Sequence, residues 1–279
     1  RTDARMTAPP PADVVRDLEL LVRSRYGLIH LDTREEERAQ GLLHHLADGL
    51  GVPLFTWTRT RGLRRWGMPE SVYDTRALDK ALSHVAHAGA DAVYHLQGVA
   101  DGDLEGEGSR ALLLEAARAM EAPTGAMVFT GARLALPPAL ADRSAHLALP
   151  GPTADEFRAL LGQIVRDLSA RQHVEVALTP DEMDRLLEHL KGFTLLEAEK
   201  TLTRALVEDG RLTPDDIGHV LDAKREVVER DGLLEYYPVE AALDAVADLA
   251  GFKAWLAART AVVRSPRSCL LYTSPSPRD

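Results

Sequence analysis

The stretch Tyr26-Gly-Leu-Ile-His-Leu-Asp-Thr-Arg-Glu-Glu-Glu37 contains the change of pattern that decides the fold. Residues 26–31 form a short apolar run, which is typical of a strand buried on both faces of a parallel sheet. The order Thr33-Arg-Glu-Glu36 is a capping box and predicts the start of a helix. Gly51 favours the end of that helix near residue 50. A strand followed directly by a helix is the first part of a β-α-β unit.

The same alternation continues along the next hundred residues. It predicts an α/β domain over residues 13–150 with a mainly parallel, five-stranded sheet and helices on both faces. The further strands are predicted at residues 53–58, 92–96, 126–130 and 145–149, and the further helices at residues 13–24, 75–88 and 109–120. We expect residues 59–73 to be an irregular basic loop and residues 101–108 an acidic loop.

From residue 153 the pattern changes to helices alone. Thr153-Ala-Asp-Glu156 and Thr179-Pro-Asp-Glu182 are capping boxes, and the second has proline at the first helical position. These signals predict a small all-helical domain over residues 153–231. Residues 232–264 are predicted to be a linker and the start of a further domain.

The two ends differ from the rest. Residues 1–12 are a proline-rich lead-in that we expect to be disordered. Residues 269–279, CLLYTSPSPRD, resemble the in-frame translation of a sequencing-library adapter, so residues 265–279 are predicted to be a non-native tail. Cys269, the single cysteine, would leave with it. The alternative is a Ser/Pro-rich interaction tail.

Composition limits the classes of function. The 279 residues include 33 basic and 43 acidic side chains, a net charge of −10, which argues against a surface dominated by nucleic-acid or anionic-membrane binding. No run of about 18 apolar residues predicts a membrane span. One cysteine allows neither an internal disulfide nor a multi-cysteine zinc site. We expect a cytoplasmic protein that does not contact membranes.

The chemistry of phosphate binding is missing after the first strand. A phosphate-binding loop needs G-x-x-x-x-G-K-[ST], whose backbone N–H groups, lysine and hydroxyl hold the phosphates and magnesium. This chain has Asp32-Thr-Arg-Glu-Glu-Glu37 in that place, and its glutamates would repel a triphosphate. Gln97 and Gly98 follow the strand at 92–96, where magnesium-binding acids are required. Asp101 and Asp103 lie too far along the chain and fit a solvated loop.

Several stretches together resemble a family, the stand-alone bacterial and plastid-encoded AAA ATPases, in which a degenerate AAA-like half precedes the active one. Ala126-Met-Val-Phe-Thr-Gly131 is similar to the AAA strand that ends in a polar sensor residue. Gly192-Phe-Thr-Leu-Leu-Glu-Ala-Glu-Lys200 is similar to a helix of the AAA lid. The other matching stretches are residues 19–38, 53–63, 136–158, 224–237 and 250–259.

The resemblance implies a degenerate AAA-like domain at residues 13–150 and a lid at residues 153–231. It implies that the chain is the N-terminal non-catalytic part of an ATP-hydrolysing protein, used for assembly or partner recognition. The chain would stop before the active P-loop domain, so we expect it to be inactive alone. We predict no catalytic, cofactor or metal site here, and expect ATP and magnesium in the missing domain. The full-length protein is expected to form homo-oligomers and to act on an unknown protein partner.

Four groups of residues leave alternatives open. Thr130 is either the sensor or a satisfied strand-end hydroxyl. Arg143 either reaches a neighbour's phosphate or pairs with Asp142 or Asp155, and we favour the ion pair. His84-x-x-His87 is either a metal-binding pair or a half-exposed pair on a helix. The loop from Arg59 to Arg65, beside Trp57 and Trp66, could contact nucleic acid. The last option defines the rival interpretation, a self-contained α/β binding module.

Overall fold

The computed structural model describes residues 12–131, 136, 138–229 and 249–263. The adapter-like tail, nearly all of the lead-in and most of the predicted linker lie outside these residues. Backbone contacts divide the chain into two units, Arg1–Val227 and Val228–Asp279.

The helices and strands follow the predicted order. The helices are α1 (Ala12–Arg23), α2 (Glu36–Leu50), α3 (Leu78–Ala88), α4 (Glu107–Ala119), α5 (Ala154–Ser169), α6 (Pro180–Leu190), α7 (Leu195–Asp209), α8 (Asp216–Glu229) and α9 (Ala250–Val263). The strands are β1 (Leu28–Asp32), β2 (Leu54–Thr58), β3 (Gly62–Arg65), β4 (Val93–Gln97), β5 (Ala126–Gly131), β6 (Ser144–Ala148), β7 (Glu175–Val176) and β8 (Arg211–Leu212). Short 3-10 turns cover Asp101–Leu104 and Pro138–Arg143.

The main sheet has six strands in the order β3-β2-β4-β5-β1-β6, one more than expected. All neighbours are parallel except β3, which pairs antiparallel with β2. The extra strand lies in residues 59–73, where the sequence analysis expected an irregular loop. A tight hairpin turn at residues 59–61 returns the chain along β2 and places Leu63 opposite Trp57.

Apolar side chains cover both faces of this sheet. Trp57, Tyr94 and Phe129 pack with α3 and α4 on one face, whereas Ile29 and Val128 pack with α1 and α2 on the other. Burial at this scale is the main source of stability in an α/β domain. Because β1, β4 and β5 are parallel, their carboxyl ends meet at the same edge of the sheet, beside the start of α2.

A separate core holds α5, α6, α7 and α8 together, around Phe157, Leu186 and Leu202. The capping boxes at Thr153 and Thr179 are both formed, which confirms those two helix starts. The domain is not purely helical, because the two-residue strands β7 and β8 pair in parallel. The helix predicted from the capping box at Thr33 begins at Glu36 instead. The Thr33 hydroxyl accepts a hydrogen bond from the Glu35 N–H at 3.0 Å, so it turns the loop and does not cap the helix.

Candidate functional site

The candidate site is the corner where β1 ends and α2 begins. Asp32 closes β1, and the loop through Thr33 leads to Glu35 and Glu36. A helix N-terminus normally favours an anionic ligand, because its first N–H groups point outwards. Here the acidic side chains of the chain itself are at that position. We call the group of Glu35, Arg38, Glu156 and the groups they bind the clamp.

Arg38 is the centre of the clamp and is almost completely buried. Its Nε and Nη2 atoms donate to the two Glu156 carboxylate oxygens at 2.8 and 3.0 Å. Its Nη1 atom donates to Glu35 Oε2 at 3.0 Å and to the Pro150 carbonyl oxygen at 2.6 Å. Such two-pronged arginine–carboxylate pairs are the strong, directional form of ion pair. The guanidinium is therefore fully engaged within the protein.

The clamp joins three elements that are far apart in sequence. Arg38 comes from the buried face of α2, and Glu156 is the third residue of α5. The other oxygen of Glu35 accepts a hydrogen bond from the Leu195 N–H at 2.7 Å, at the start of α7. The corner of the sheet is thus bonded to the first turns of two helices of the helical domain.

A second polar chain crosses the carboxyl ends of β4 and β5. The Thr130 hydroxyl donates to Glu36 Oε2 at 2.5 Å and lies 2.9 Å from His95 Nε2. Since the hydroxyl proton points to Glu36, the consistent assignment has Nε2–H of His95 donating to Thr130. Gln97 Nε2 lies 3.4 Å from the other ring nitrogen, Nδ1. Thr130 is thus a satisfied hydroxyl at the end of its strand, the second of the two alternatives.

The acidic loop after β4, which was expected to be solvated, makes structural contacts through Asp103. The two oxygens of Asp103 accept hydrogen bonds from Arg59 Nη2, both at 2.7 Å, and one also accepts from the Ala100 N–H at 3.0 Å. Burial raises the pKa of Asp103, but the hydrogen bonds and charge of these two partners outweigh it and hold that pKa below its usual value. Asp103 therefore ties the loop to the β2–β3 hairpin.

The expected partners of Arg143 are corrected by the structure. Arg143 pairs with Glu121, at the end of α4, and not with Asp142 or Asp155. Asp155 pairs instead with Arg158, one turn along α5, at 3.1 Å. Arg143 therefore forms an ion pair, as the favoured alternative predicts, but its partner is Glu121 and not the predicted acids.

The histidines show no metal-binding arrangement in the described ranges. His87 Nδ1 lies 2.7 Å from the Ser83 carbonyl oxygen, one turn back on its own helix. His44 contacts Asp48 at 3.6 Å and the Trp66 ring at 5.1 Å between ring centres. Among the residues that the structure describes, no three His, Cys, Asp or Glu side chains lie close enough to hold a metal ion.

The aromatic and arginine side chains proposed to contact nucleic acid make contacts within the protein. Trp57 is fully buried, and its indole N–H donates to the Thr75 carbonyl oxygen at 2.8 Å. Trp66 packs against His44, and Arg59 is neutralised by Asp103. Of the two stacking partners on which the nucleic-acid interpretation relied, Trp57 is therefore inaccessible and Trp66 is half-buried.

Sequence reasoning missed Arg38, Glu156 and His95. A signal existed for the first: Arg38 lies four residues before Leu42, on the face of α2 that the leucines bury. Glu156 was read only as part of a capping box, and it does bind the Thr153 N–H at 2.8 Å. That its carboxylate also faces a residue 118 positions earlier has no local signal.

Two protein-family models match successive parts of the chain. Residues 14–149 match the model of the SpoVK-like AAA ATPase N-terminal domain, and residues 155–231 match that of the SpoVK-like AAA ATPase second domain. The AAA domain-containing protein ycf46 of Pyropia yezoensis is 22% identical over 266 residues, which are 94% of this chain and 52% of the relative. The chain spans about half the length of the curated relatives that it matches.

Solved structures show the same fold at low sequence identity. The AAA domain of FIGL-1, solved in complex with ADP, has a TM-score of 0.50 and 14% identity, and the match covers 87% of this chain and 85% of that one. C. elegans PCH-2 also has a TM-score of 0.50 and 14% identity, with 78% and 69% covered. The predicted α/β fold and the resemblance to AAA ATPases are confirmed. Within the described ranges, every helix is too short or too polar to span a lipid bilayer.

Proposed function

The chain belongs to the SpoVK-like AAA ATPase family, and from this premise we propose that it is a non-catalytic part of an AAA ATPase that serves assembly or partner recognition. ATP binding and hydrolysis, with magnesium, are assigned to the part of the protein that lies outside this chain. Oligomerisation of the full-length protein and its cytoplasmic location stay predictions of the same proposal.

The clamp is the observation that carries this proposal. A triphosphate at the start of α2 would meet the carboxylates of Glu35 and Glu36, and like charges at such distances repel strongly away from bulk water. Arg38, a buried cation nearby, already has four hydrogen bonds to the protein. Moving it to a ligand would leave Glu156 buried without its partner.

The residues at the end of β4 support the same conclusion. Magnesium prefers carboxylate oxygens and water as ligands. Gln97 offers an amide, and its Nε2 faces His95. The residues at this edge do not fit a nucleoside triphosphate with its metal.

Titration calorimetry with magnesium and ATP tests the proposal on this chain. We expect no saturable heat up to millimolar ATP and no release of phosphate above the buffer blank. An intact AAA ATPase measured in parallel provides the positive control. Saturable binding of ATP, or hydrolysis that copurifies with the folded chain and is lost in Glu36→Ala, would overturn the proposal.

A further inference from the structure

The outer side of the β2–β3 hairpin is covered by residues 71–76, which we call the strap. Val72 N–H donates to the Leu63 carbonyl oxygen at 2.7 Å, and Arg64 forms a single antiparallel bridge with Ser71. Leu63 N–H donates in turn to Thr75 Oγ1 at 2.8 Å. The strap is therefore fixed against β3 at three points, and its backbone is held in one position.

Gly62 allows the strap to lie this close. Its φ of +71° belongs to the left-handed region, which glycine adopts without strain. A Cβ atom there would be 2.9 Å from Thr75 Oγ1 and 3.2 Å from the Arg76 nitrogen. The backbone of Arg76 thus lies against Gly62, next to Arg61 in the chain. The side chains of Arg61 and Arg76, both exposed, are therefore attached at neighbouring points of the backbone.

The side chains of this surface face solvent. Tyr73, in the middle of the strap, is 95% exposed, and Met68, three residues before the strap begins, is 49% exposed. Large exposed aromatic side chains on a rigid backbone are the residues that most often anchor an interface. Arg61, Arg65 and Arg76 are also exposed, and their guanidinium groups take part in none of the hydrogen bonds or ion pairs found among the described residues.

The charge of this segment is opposite to that of the chain. Residues 59–76 contain five arginines, against the two acids Glu70 and Asp74, in a chain of net charge −10. Asp74 is already paired with Lys80 at 3.3 Å. A local positive surface on an acidic protein attracts acidic segments of a partner.

We propose that the strap and the hairpin tip form a docking surface for an acidic, extended segment of a protein partner. Its carboxylates would pair with Arg61 and Arg76, and an apolar side chain between them would pack on Tyr73. The inference rests on the partner-recognition role proposed above and names the chemistry of that partner.

A protein segment fits this surface better than a nucleic acid does. Of the two tryptophans that could stack on bases, Trp57 is buried and Trp66 is half-buried against His44, and Arg59 is paired with Asp103. Asp103 and Glu70 border the surface and would oppose a continuous row of phosphates. Met68 offers an apolar contact, which suits a side chain of a peptide and adds nothing to phosphate binding.

Selection from a random peptide library displayed on phage tests the proposal with the full chain as bait. We expect enriched peptides to contain about twice the aspartate and glutamate of the starting library, together with an aromatic or aliphatic residue. The best peptide, made synthetically with a fluorescent label, should bind about tenfold more weakly to Arg61→Glu/Arg76→Glu, because like charges then face each other. Tyr73→Ser should weaken binding about fivefold.

Two variants of matched chemistry provide the controls. Arg185→Glu/Arg204→Glu makes the same charge change on the exposed side of α6 and α7, and Val207→Ser removes an apolar side chain that is 54% exposed. Both should bind the peptide as the unmodified chain does. Equal loss in the arginine control, or enrichment of basic peptides, would overturn the proposal.

The remaining outcomes also decide the question. Retention of a labelled single-stranded oligonucleotide, lost in Arg61→Glu/Arg76→Glu, would overturn the protein-partner proposal in favour of nucleic acid. Failure to enrich any peptide whose binding depends on these arginines would overturn it as well. Neither result depends on ATP, so the calorimetric test of the non-catalytic role remains independent.

Discussion

Arginine has opposite roles in two regions of this molecule, the clamp and the strap surface. In the clamp, Arg38 is buried and bonded to Glu35, Glu156 and the Pro150 carbonyl oxygen. On the strap surface, Arg61 and Arg76 are exposed. A buried charge must be satisfied by its own protein, because unpaired burial costs several kcal/mol. An exposed charge is hydrated and stays available to a partner. In the proposed roles, the charged corner is closed to ligands and the charged surface is open to a partner.

The largest effect should come from breaking the clamp. Arg38→Met leaves Glu156 buried without its partner and should lower the free energy of unfolding by about 3–5 kcal/mol, measured by urea denaturation. Arg23→Met is the control, since the Arg23–Glu19 pair is exposed and its loss should cost less than about 1 kcal/mol. Replacing both members of the clamp, Arg38→Met with Glu156→Met, should restore part of the loss. An Arg38→Met loss no larger than that of the control would contradict the central place given to the clamp.

A smaller loss is expected from the polar chain beside the clamp. Thr130→Val removes the hydroxyl that links Glu36 to His95, and His95 is fully buried. The unfolding free energy should fall by about 1–3 kcal/mol, the usual cost of leaving a buried polar group unsatisfied. Thr60→Val, at the exposed hairpin turn, should change it by less than about 0.5 kcal/mol. If the two variants melt at the same temperature, the hydrogen-bond chain does not stabilise the edge of the sheet.

Acid should loosen the link between the hairpin and the loop after β4. The pKa of Asp103 is lower in the folded chain than in the unfolded chain, so its stabilising contribution is complete above the unfolded value. That contribution is lost as the pH falls below about 4 and through the folded pKa. Melting temperatures measured across this range should therefore fall less steeply for Asp103→Asn than for the unmodified chain. An equal slope for Asp103→Asn and the unmodified chain would contradict this link.

The smallest effect on stability should come from the strap surface itself. Arg61→Glu/Arg76→Glu changes exposed side chains, and the unfolding free energy should change by less than about 0.5 kcal/mol. Circular dichroism during urea denaturation gives this value directly. A loss of several kcal/mol would show that these arginines belong to the packing of the hairpin and would remove the contrast with Arg38.

Local patterns predicted most of the fold. The apolar run before Asp32, the capping boxes at Thr153 and Thr179, and the alternation of strands and helices each depend on neighbours within one or two turns of chain. The strand β3 was missed because its two consecutive arginines, Arg64 and Arg65, break the alternation of apolar and polar residues, and only pairing with β2 makes it a strand. The partner of Arg143 was missed because Glu121 lies 22 residues away.

The sequence by itself determined that this chain has an AAA-type order of elements and lacks the lysine, glycines and acids that bind a triphosphate, because those requirements are short motifs of adjacent residues. Only the tertiary structure decided what occupies that corner instead. The contacts of Arg38 with Glu156, and of Glu35 with the start of α7, join residues more than a hundred positions apart. Such pairings depend on how the α/β domain and the helical domain pack, and local sequence patterns do not predict them.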